Sequence, residues 1–343
     1  MDKFKIDSTK LMYHPDRVLQ LLEGAEHWDI AKDIYPLYVE ISPVGACNHR
    51  CTFCAVDYLG YKTNMLDEKM LADVFWEMAQ SGVKSVMFAG EGEPLLHKHI
   101  NHIVFDANNA GLDVAFTTNG VLLNKLDNLE TIKWIRVSLN AGTRETYAKV
   151  HRTKPDDFDR VLANLADAVL RKGDCSISAQ MVLLPENAHE VETLKQIGKD
   201  IGLDFVSIKP YSQHRKSLTH LYENAQIEPP EDSDGLIVRH AGFETKEIKY
   251  EKCNATPFLW AYLMSTGDLY SCSAYLLDDR FNLGNIGLQT FREIWRGDKR
   301  RANWEFVRNE LDIKDCRVNC RMHQANVYMD ELINNKVPSV NFI

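Results

Sequence analysis

The stretch LYVEISPVGACNHRCTFCA, residues 37–55, runs from a β-branched segment straight into three cysteines, Cys47, Cys51 and Cys54, spaced by three and then two residues. The run over 37–42 predicts a strand, and the Pro and Gly that follow end it. Reactive groups in α/β barrels gather at the carboxyl ends of the strands, so a cysteine loop in this position reads as chemistry.

The pattern repeats outward from that stretch. VKSVMFAG (83–90), LDVAFTTNG (112–120), WIRVSLNAG (134–142), CSISAQMVLLP (175–185) and FVSIKP (205–210) are further strand candidates, each ending in polar or turn residues. Amphipathic stretches such as EKMLADVFWEMAQSG (68–82) and FDRVLANLADAVLRKG (158–173) separate them. Strands alternating with helices predict successive βα units with parallel pairing, an α/β fold. About 36 residues of short helical character precede the first strand, and the acidic, turn-rich EPPEDSDG (228–235) reads as a linker. The organisation expected is an N-terminal extension (1–36), a core (37–227) and a smaller linker-plus-C-terminal domain (228–343).

With 343 residues, 45% hydrophobic and 26% charged, the chain has ordinary globular composition. The start MDKFKIDSTK lacks the apolar segment of a signal peptide, and no apolar run is long enough to span a bilayer. A cytoplasmic protein without membrane partners is expected. In that reducing compartment the 8 cysteines read as metal ligands or reactive groups and not as a disulfide frame. A formal charge of −9 gives general repulsion toward nucleic acid, so none is expected as a partner.

A 4Fe-4S cluster normally takes four thiolates; three leave one iron open to a small molecule. The competing readings are a zinc site borrowing a distant ligand such as His49, or three merely buried cysteines. Cys47-x3-Cys51-x2-Cys54 resembles the signature of the radical S-adenosylmethionine (SAM) enzymes. The resemblance implies a partial (β/α)6 TIM-like barrel with a smaller C-terminal iron–sulfur domain. It also implies a cluster whose open iron chelates SAM, with reductive cleavage to a 5′-deoxyadenosyl radical that abstracts hydrogen from a substrate. It places Phe53 near the adenine. FAGEGEPLL (88–96) resembles the family's Gly-Gly-Glu-Pro motif, so Gly92 and Glu93 are expected to hold the methionyl amine, with Glu91 where many members have Gly. Ser138 and Arg152 are expected at the SAM ribose or carboxylate. Alternation puts Ser176, Ser178 and Gln180 on one strand face, with Gln180 or Ser178 lining the site and Cys175 pointing away as an inert thiol.

The C-terminal region holds Cys253-x13-Gly267-x4-Cys272 and Cys316-x3-Cys320. The first element resembles the opening of the SPASM and twitch modules, with a hairpin at Ser265-Thr266-Gly267-Asp268 bringing Cys253 and Cys272 together. Four cysteines, where a full SPASM module has seven, imply one auxiliary 4Fe-4S cluster held by Cys253, Cys272, Cys316 and Cys320; a four-cysteine zinc site is the alternative. The cofactors expected are thus two 4Fe-4S clusters and SAM, with a flavodoxin or ferredoxin type reductant. The run Lys299-Arg300-Arg301 reads as an exposed face or a docking patch for that reductant.

The resemblance to one-auxiliary-cluster members implies an oxidoreductase-type enzyme acting on a small polar substrate, a sugar or nucleotide-sugar. KPYSQHRKS (209–217) offers Lys209, His214 and Arg215 for phosphate and Tyr211 and Gln213 for polar groups. Asp57, Tyr58, Tyr61 and Lys62 are candidates to cap the same pocket. The alternatives are an epimerase, a peptide-modifying maturase, or a non-catalytic iron–sulfur electron-transfer protein.

Overall fold

Two short helices, α1 (Pro15–Gly24) and α2 (Trp28–Ala31), lead into β1 (Tyr38–Ile41). From there β2 (Ser85–Phe88), β3 (Asp113–Thr118), β4 (Ile132–Ser138), β5 (Ser176–Leu183) and β6 (Phe205–Pro210) lie side by side in chain order, each parallel to the last. The computed structural model describes residues 4–6, 8–244, 248, 250–316, 320–334 and 338–341. Helix α3 (Glu68–Gln80) joins β1 to β2, and α4 (Ile100–Asn109) joins β2 to β3. Helices α5 (Arg144–His151) and α6 (Asp156–Arg171) follow β4, and α7 (Val191–Ile201) follows β5. The third crossover departs from the expected alternation: it carries only single 3-10 turns, Leu123–Lys125 and Leu129–Thr131.

The helices form where expected because their starts and faces agree. Asp67 caps α3 by accepting from the Lys69 and Met70 amides, and Leu71, Val74, Phe75 and Met78 recur at helical spacing to face the sheet. In α6 three aspartates occupy the first turn, where the helix dipole favours them, and Phe158, Val161, Leu165 and Ala168 are buried. The strands are apolar outward: Val39, Ile41, Val86, Phe88, Val114, Phe116, Ile135 and Val137 join those helix faces in one core. Parallel register sets the opposite face. Glu40 stands beside Met87, Arg136 beside Ser178, Ser138 beside Gln180, and Val182 beside Lys209. Neighbours in register share a face, so the inner face is largely polar.

The sheet does not end with the six strands. β7 (Leu236–Val238) adds in parallel to β6, a strand too short at three residues to stand out from the acidic linker before it. Helix α8 (His240–Glu244) follows. On the other edge β8 (Trp260–Leu263) pairs in parallel with β1, and β9 (Asp268–Tyr270) and β10 (Asn282–Asn285) continue antiparallel, giving a 10-stranded sheet. The β8–β9 turn falls at Ser265–Asp268, with Gly267 at φ +87, a conformation glycine adopts without the strain a Cβ would bring. Helices α9 (Phe291–Arg296), α10 (Asp298–Asn309) and α11 (His323–Asn334) complete the C-terminal region.

That region is locked to the rest through Arg300. Its guanidinium, 0% exposed, donates to the carbonyls of Ala31, Ile34, Trp295 and Pro257 at 3.0–3.4 Å and stacks on Trp295. The reading of Lys299-Arg300-Arg301 as one exposed patch is corrected here: only its outer members are exposed. Among the described residues no helix is long and apolar enough to cross a membrane.

Candidate active site at the mouth of the barrel

The loop after β1 carries Cys47, Cys51 and Cys54 and is fastened on two sides. Toward α5, the Arg50 amide donates to the His151 carbonyl at 3.1 Å and the Thr52 amide to the Val150 carbonyl at 2.8 Å. Toward β2, the Glu93 amide donates to the Ala46 carbonyl at 2.8 Å. Gly92 makes this closeness possible, because a Cβ there would lie 2.0 Å from the Ala46 oxygen.

Burial pushes the Cys47 thiol up to about 12. Cys51 and Cys54 are also raised, foremost by burial; Cys51 is raised further by the charges of the other two. Three thiols packed so that each opposes the next one's ionisation suit a cation that stabilises all the thiolates at once. Cys51 Sγ also lies 3.1 Å from Nδ1 of His151, and the His49 amide lies 3.4 Å from Cys47 Sγ. Both imidazoles are buried, which pushes His49 down to about 4 and His151 to about 3.

Glu93 is 2% exposed and already takes three protein donors: Thr118 Oγ1 at 2.6 Å, the Asn119 amide at 2.8 Å and the Leu95 amide at 3.1 Å. It therefore ties the end of β2 to the end of β3. A carboxylate accepts about four hydrogen bonds, which leaves capacity for one more donor. Glu91 acts across a longer distance in sequence. Its carboxylate accepts from the Ser265 amide at 2.7 Å and hydroxyl at 3.1 Å, clamping the β2 loop to the β8–β9 turn.

Four C-terminal cysteines, Cys253, Cys272, Cys316 and Cys320, line one small cavity with Tyr275, Phe281 and Met322. Burial raises the thiols of Cys253, Cys272 and Cys316, and the Cys320 charge raises the first two further. Donors surround the set: the Thr256 amide lies 3.4 Å and Asn326 Nδ2 3.6 Å from Cys253 Sγ. This donor chemistry fits a second metal centre with four thiolate ligands.

Between the two cysteine sets lies a cavity of about 560 Å3, reached by Phe53 and Cys54 at one end and Cys272 and Cys320 at the other. Gly90, Ser138, Gln180, Lys209 and Tyr211 also line it. Arg152 does not; it is exposed at the left-handed cap of α5, and the residue before it, His151, makes the contact with the cysteine loop. Ser178 is buried one layer below Gln180, and Cys175 is 1% exposed in the outer core.

The expected substrate loop divides. Lys209 and Tyr211 face the cavity, whereas Gln213 bonds Tyr211 and the carbonyls of His214 and Thr219. His214 stacks on Tyr58 and lies 3.1 Å from the Ala274 carbonyl, and Arg215 pairs with Asp315 at 3.0 Å. Asp57 accepts from Ser217 and the Leu218 amide. These residues fasten the loop to the cysteine segment and to the C-terminal region. Tyr61 lies under the Arg50 guanidinium at 4.1 Å, and neither it nor Lys62 lines the cavity.

Arg239 and Arg321 line the cavity without having been expected there. Arg321 follows Cys320 directly, a position that marks it as a neighbour of the C-terminal cysteines; it pairs with Glu40 and Tyr38 on β1. Arg239 follows β7, which no periodicity announced.

The family model described as the radical SAM superfamily matches residues 41–197, and that of an iron–sulfur cluster-binding domain, SPASM, matches 253–321. GTP 3′,8-cyclase of Chlorobaculum tepidum is 31% identical over 186 residues, 52% of this chain and 55% of that protein. A probable GTP 3′,8-cyclase of Methanocaldococcus jannaschii is 26% identical over 215 residues, 59% of this chain and 69% of that one. The chain thus spans about half the length of the first of these relatives. In fold it is similar to Streptococcus suis SuiB bound to S-adenosylmethionine, with a TM-score of 0.59 at 19% identity over 80% of this chain and 68% of that one. It is likewise similar to anSMEcpe with bound AdoMet, with a TM-score of 0.55 at 18% identity over 80% of this chain and 83% of that one. Cysteine loop, parallel sheet and both matched domains agree: the chain belongs to the radical SAM superfamily and carries a C-terminal SPASM domain, which together imply a SAM-binding 4Fe-4S cluster and an auxiliary cluster.

Proposed function

We propose that the protein cleaves SAM reductively and abstracts hydrogen from a small anionic substrate, a sugar carrying phosphate or linked to a nucleotide. The observation that carries this reading is the charge on the cavity wall. Lys209 and Arg239 line the space between the two cysteine sets, beside the Arg321 and Glu40 pair. Deeper on the inner face, Arg136 stacks over Trp134 at 5.1 Å and Phe205 at 5.8 Å. Burial and the charges of Arg239 and Arg321 push it down to about 10. Clustered cations that oppose one another favour an anion between them. GTP, in the name of the cyclase relatives, is such an anion.

When bound, the Cys47/Cys51/Cys54 cluster supplies one-electron reduction of SAM, giving methionine and a 5′-deoxyadenosyl radical. The chain's own residues bind and orient. Phe53 offers an apolar face near the cysteine loop, Ser138 and Gln180 offer hydroxyl and amide groups side by side on neighbouring strands, and Lys209 and Arg239 hold the substrate anion. Trp260, 2% exposed, and Met322 close the wall toward the second cysteine set and exclude water. A flavodoxin or ferredoxin type protein is the electron donor in this reading.

The test supplies cluster-loaded protein with SAM, dithionite and ring-deuterated nucleotide-sugars, and follows deuterium into 5′-deoxyadenosine. Lys209→Ala and Arg239→Ala are expected to raise KM roughly 10- to 100-fold, the loss of a hydrogen bond to a charged group. Arg215→Ala, committed to Asp315, is expected to leave it near the wild-type value. Label transfer from neutral sugars alone, or KM unmoved in both cavity variants, contradicts the reading.

A further inference from the structure

Where the loops after β1 and β2 enter α3 and α4, two histidines and a glutamate converge. His99 is the N-cap of α4, His102 lies in its first turn, and Glu68 opens α3. His99 Nδ1 is 3.0 Å and His102 Nδ1 is 3.6 Å from Glu68 Oε2, and the three atoms all lie within 4.8 Å of one another. We propose that Glu68, His99 and His102 form a binding site for one divalent transition-metal ion of the zinc type, with water completing the coordination.

Ligand atoms at about 2.0–2.2 Å from a tetrahedral zinc stand roughly 3.3 Å apart, and the two measured separations straddle that value. The contact is not already spent as a hydrogen bond. Glu68 Oε2 is buried and makes no well-directed hydrogen bond; its contacts with the two imidazoles are ion pairs only when a ring is protonated. An ion between the three atoms satisfies that oxygen and both nitrogens together. His97 holds the arrangement from behind: its Nε2 meets the Leu66 carbonyl at 2.9 Å, and its Nδ1 accepts from the His99 amide at 3.2 Å, which fixes the backbone of one ligand.

One effect opposes binding. Two helices begin here, and their positive ends disfavour a cation. The Glu68 carboxylate counters this with a full negative charge. A bound ion would pin α3 to α4 and stiffen the segment that runs from Glu93 to His99.

The experiment uses protein with both clusters loaded, so that no cysteine set is open to added metal. Zinc is titrated anaerobically in competition with a chromophoric chelator, against His99→Ala, His102→Ala and Glu68→Gln, with iron and sulfide measured in each. The proposal expects one zinc per chain, and affinity roughly tenfold weaker or more in each variant, at unchanged iron content. It is overturned by no zinc uptake in the loaded protein. Uptake of equal affinity in all three variants overturns it as well.

Discussion

Cys51 Sγ lies 3.1 Å from Nδ1 of His151, whose Nε2 is 3.0 Å from the Leu139 carbonyl. The imidazole thus bridges the Cys51 thiol and the chain just beyond β4, and it is held by the rings of Tyr147 at 4.4 Å, His49 at 5.1 Å and Phe53 at 5.6 Å. A residue that orients a metal ligand in this way usually contributes 10- to 100-fold to metal retention. His151→Ala is therefore expected to lose iron to a chelator roughly 10- to 100-fold faster than wild type. Cys175→Ala, altered in the outer core, is expected to match wild type. Equal retention in His151→Ala would show that the contact does not support the cluster.

Gly92 makes a second prediction. Since its Cβ would meet the Ala46 carbonyl at 2.0 Å, Gly92→Ala must drive the β2 loop from the cysteine loop. Loss of about four irons per chain is expected, with the other four retained at the C-terminal set. Iron analysis together with the signal of the remaining cluster checks this, and full iron content in Gly92→Ala would contradict it.

Arg300 and Arg301 are adjacent in sequence and opposite in consequence. Removing the buried guanidinium of Arg300 strips donors from four backbone carbonyls, at an expected cost of about 3–5 kcal/mol in Arg300→Ala. Arg301 pairs with Glu305 on an exposed face, so Arg301→Ala is expected to change stability by less than about 1 kcal/mol. Denaturant unfolding of the two variants tests the contrast; similar losses would refute it.

Much of this architecture is legible in the residues themselves. Strand alternation puts Gln180 on the inner face, beside the Ser138 that the family resemblance singles out, and the cysteine spacing marks the two groups of thiols that the fold draws together. What stays hidden depends on tertiary placement. His151 shares no spacing with Cys51, a hundred positions away, and only the packing of α5 against the cysteine loop joins them. Gln213, His214 and Arg215 look like substrate contacts because an amide suits a polar ligand and two basic side chains suit phosphate, yet the loop spends them on Tyr211, Ala274 and Asp315. Arg300 carries no sequence mark that separates it from its exposed neighbours. Glu91, a departure from the Gly-Gly-Glu-Pro pattern, is explained only by Ser265, on a hairpin 174 residues away.

The central claim is that Cys47, Cys51 and Cys54 hold a cluster that reductively cleaves SAM. Its most direct test is dithionite-driven formation of 5′-deoxyadenosine from SAM by anaerobically reconstituted protein, wild type against Cys51→Ala, with iron and sulfide counted in both. The account predicts about eight irons and product in wild type, and about four irons with product at background in the variant. Equal product from Cys51→Ala, or none from wild type carrying both clusters, would contradict it.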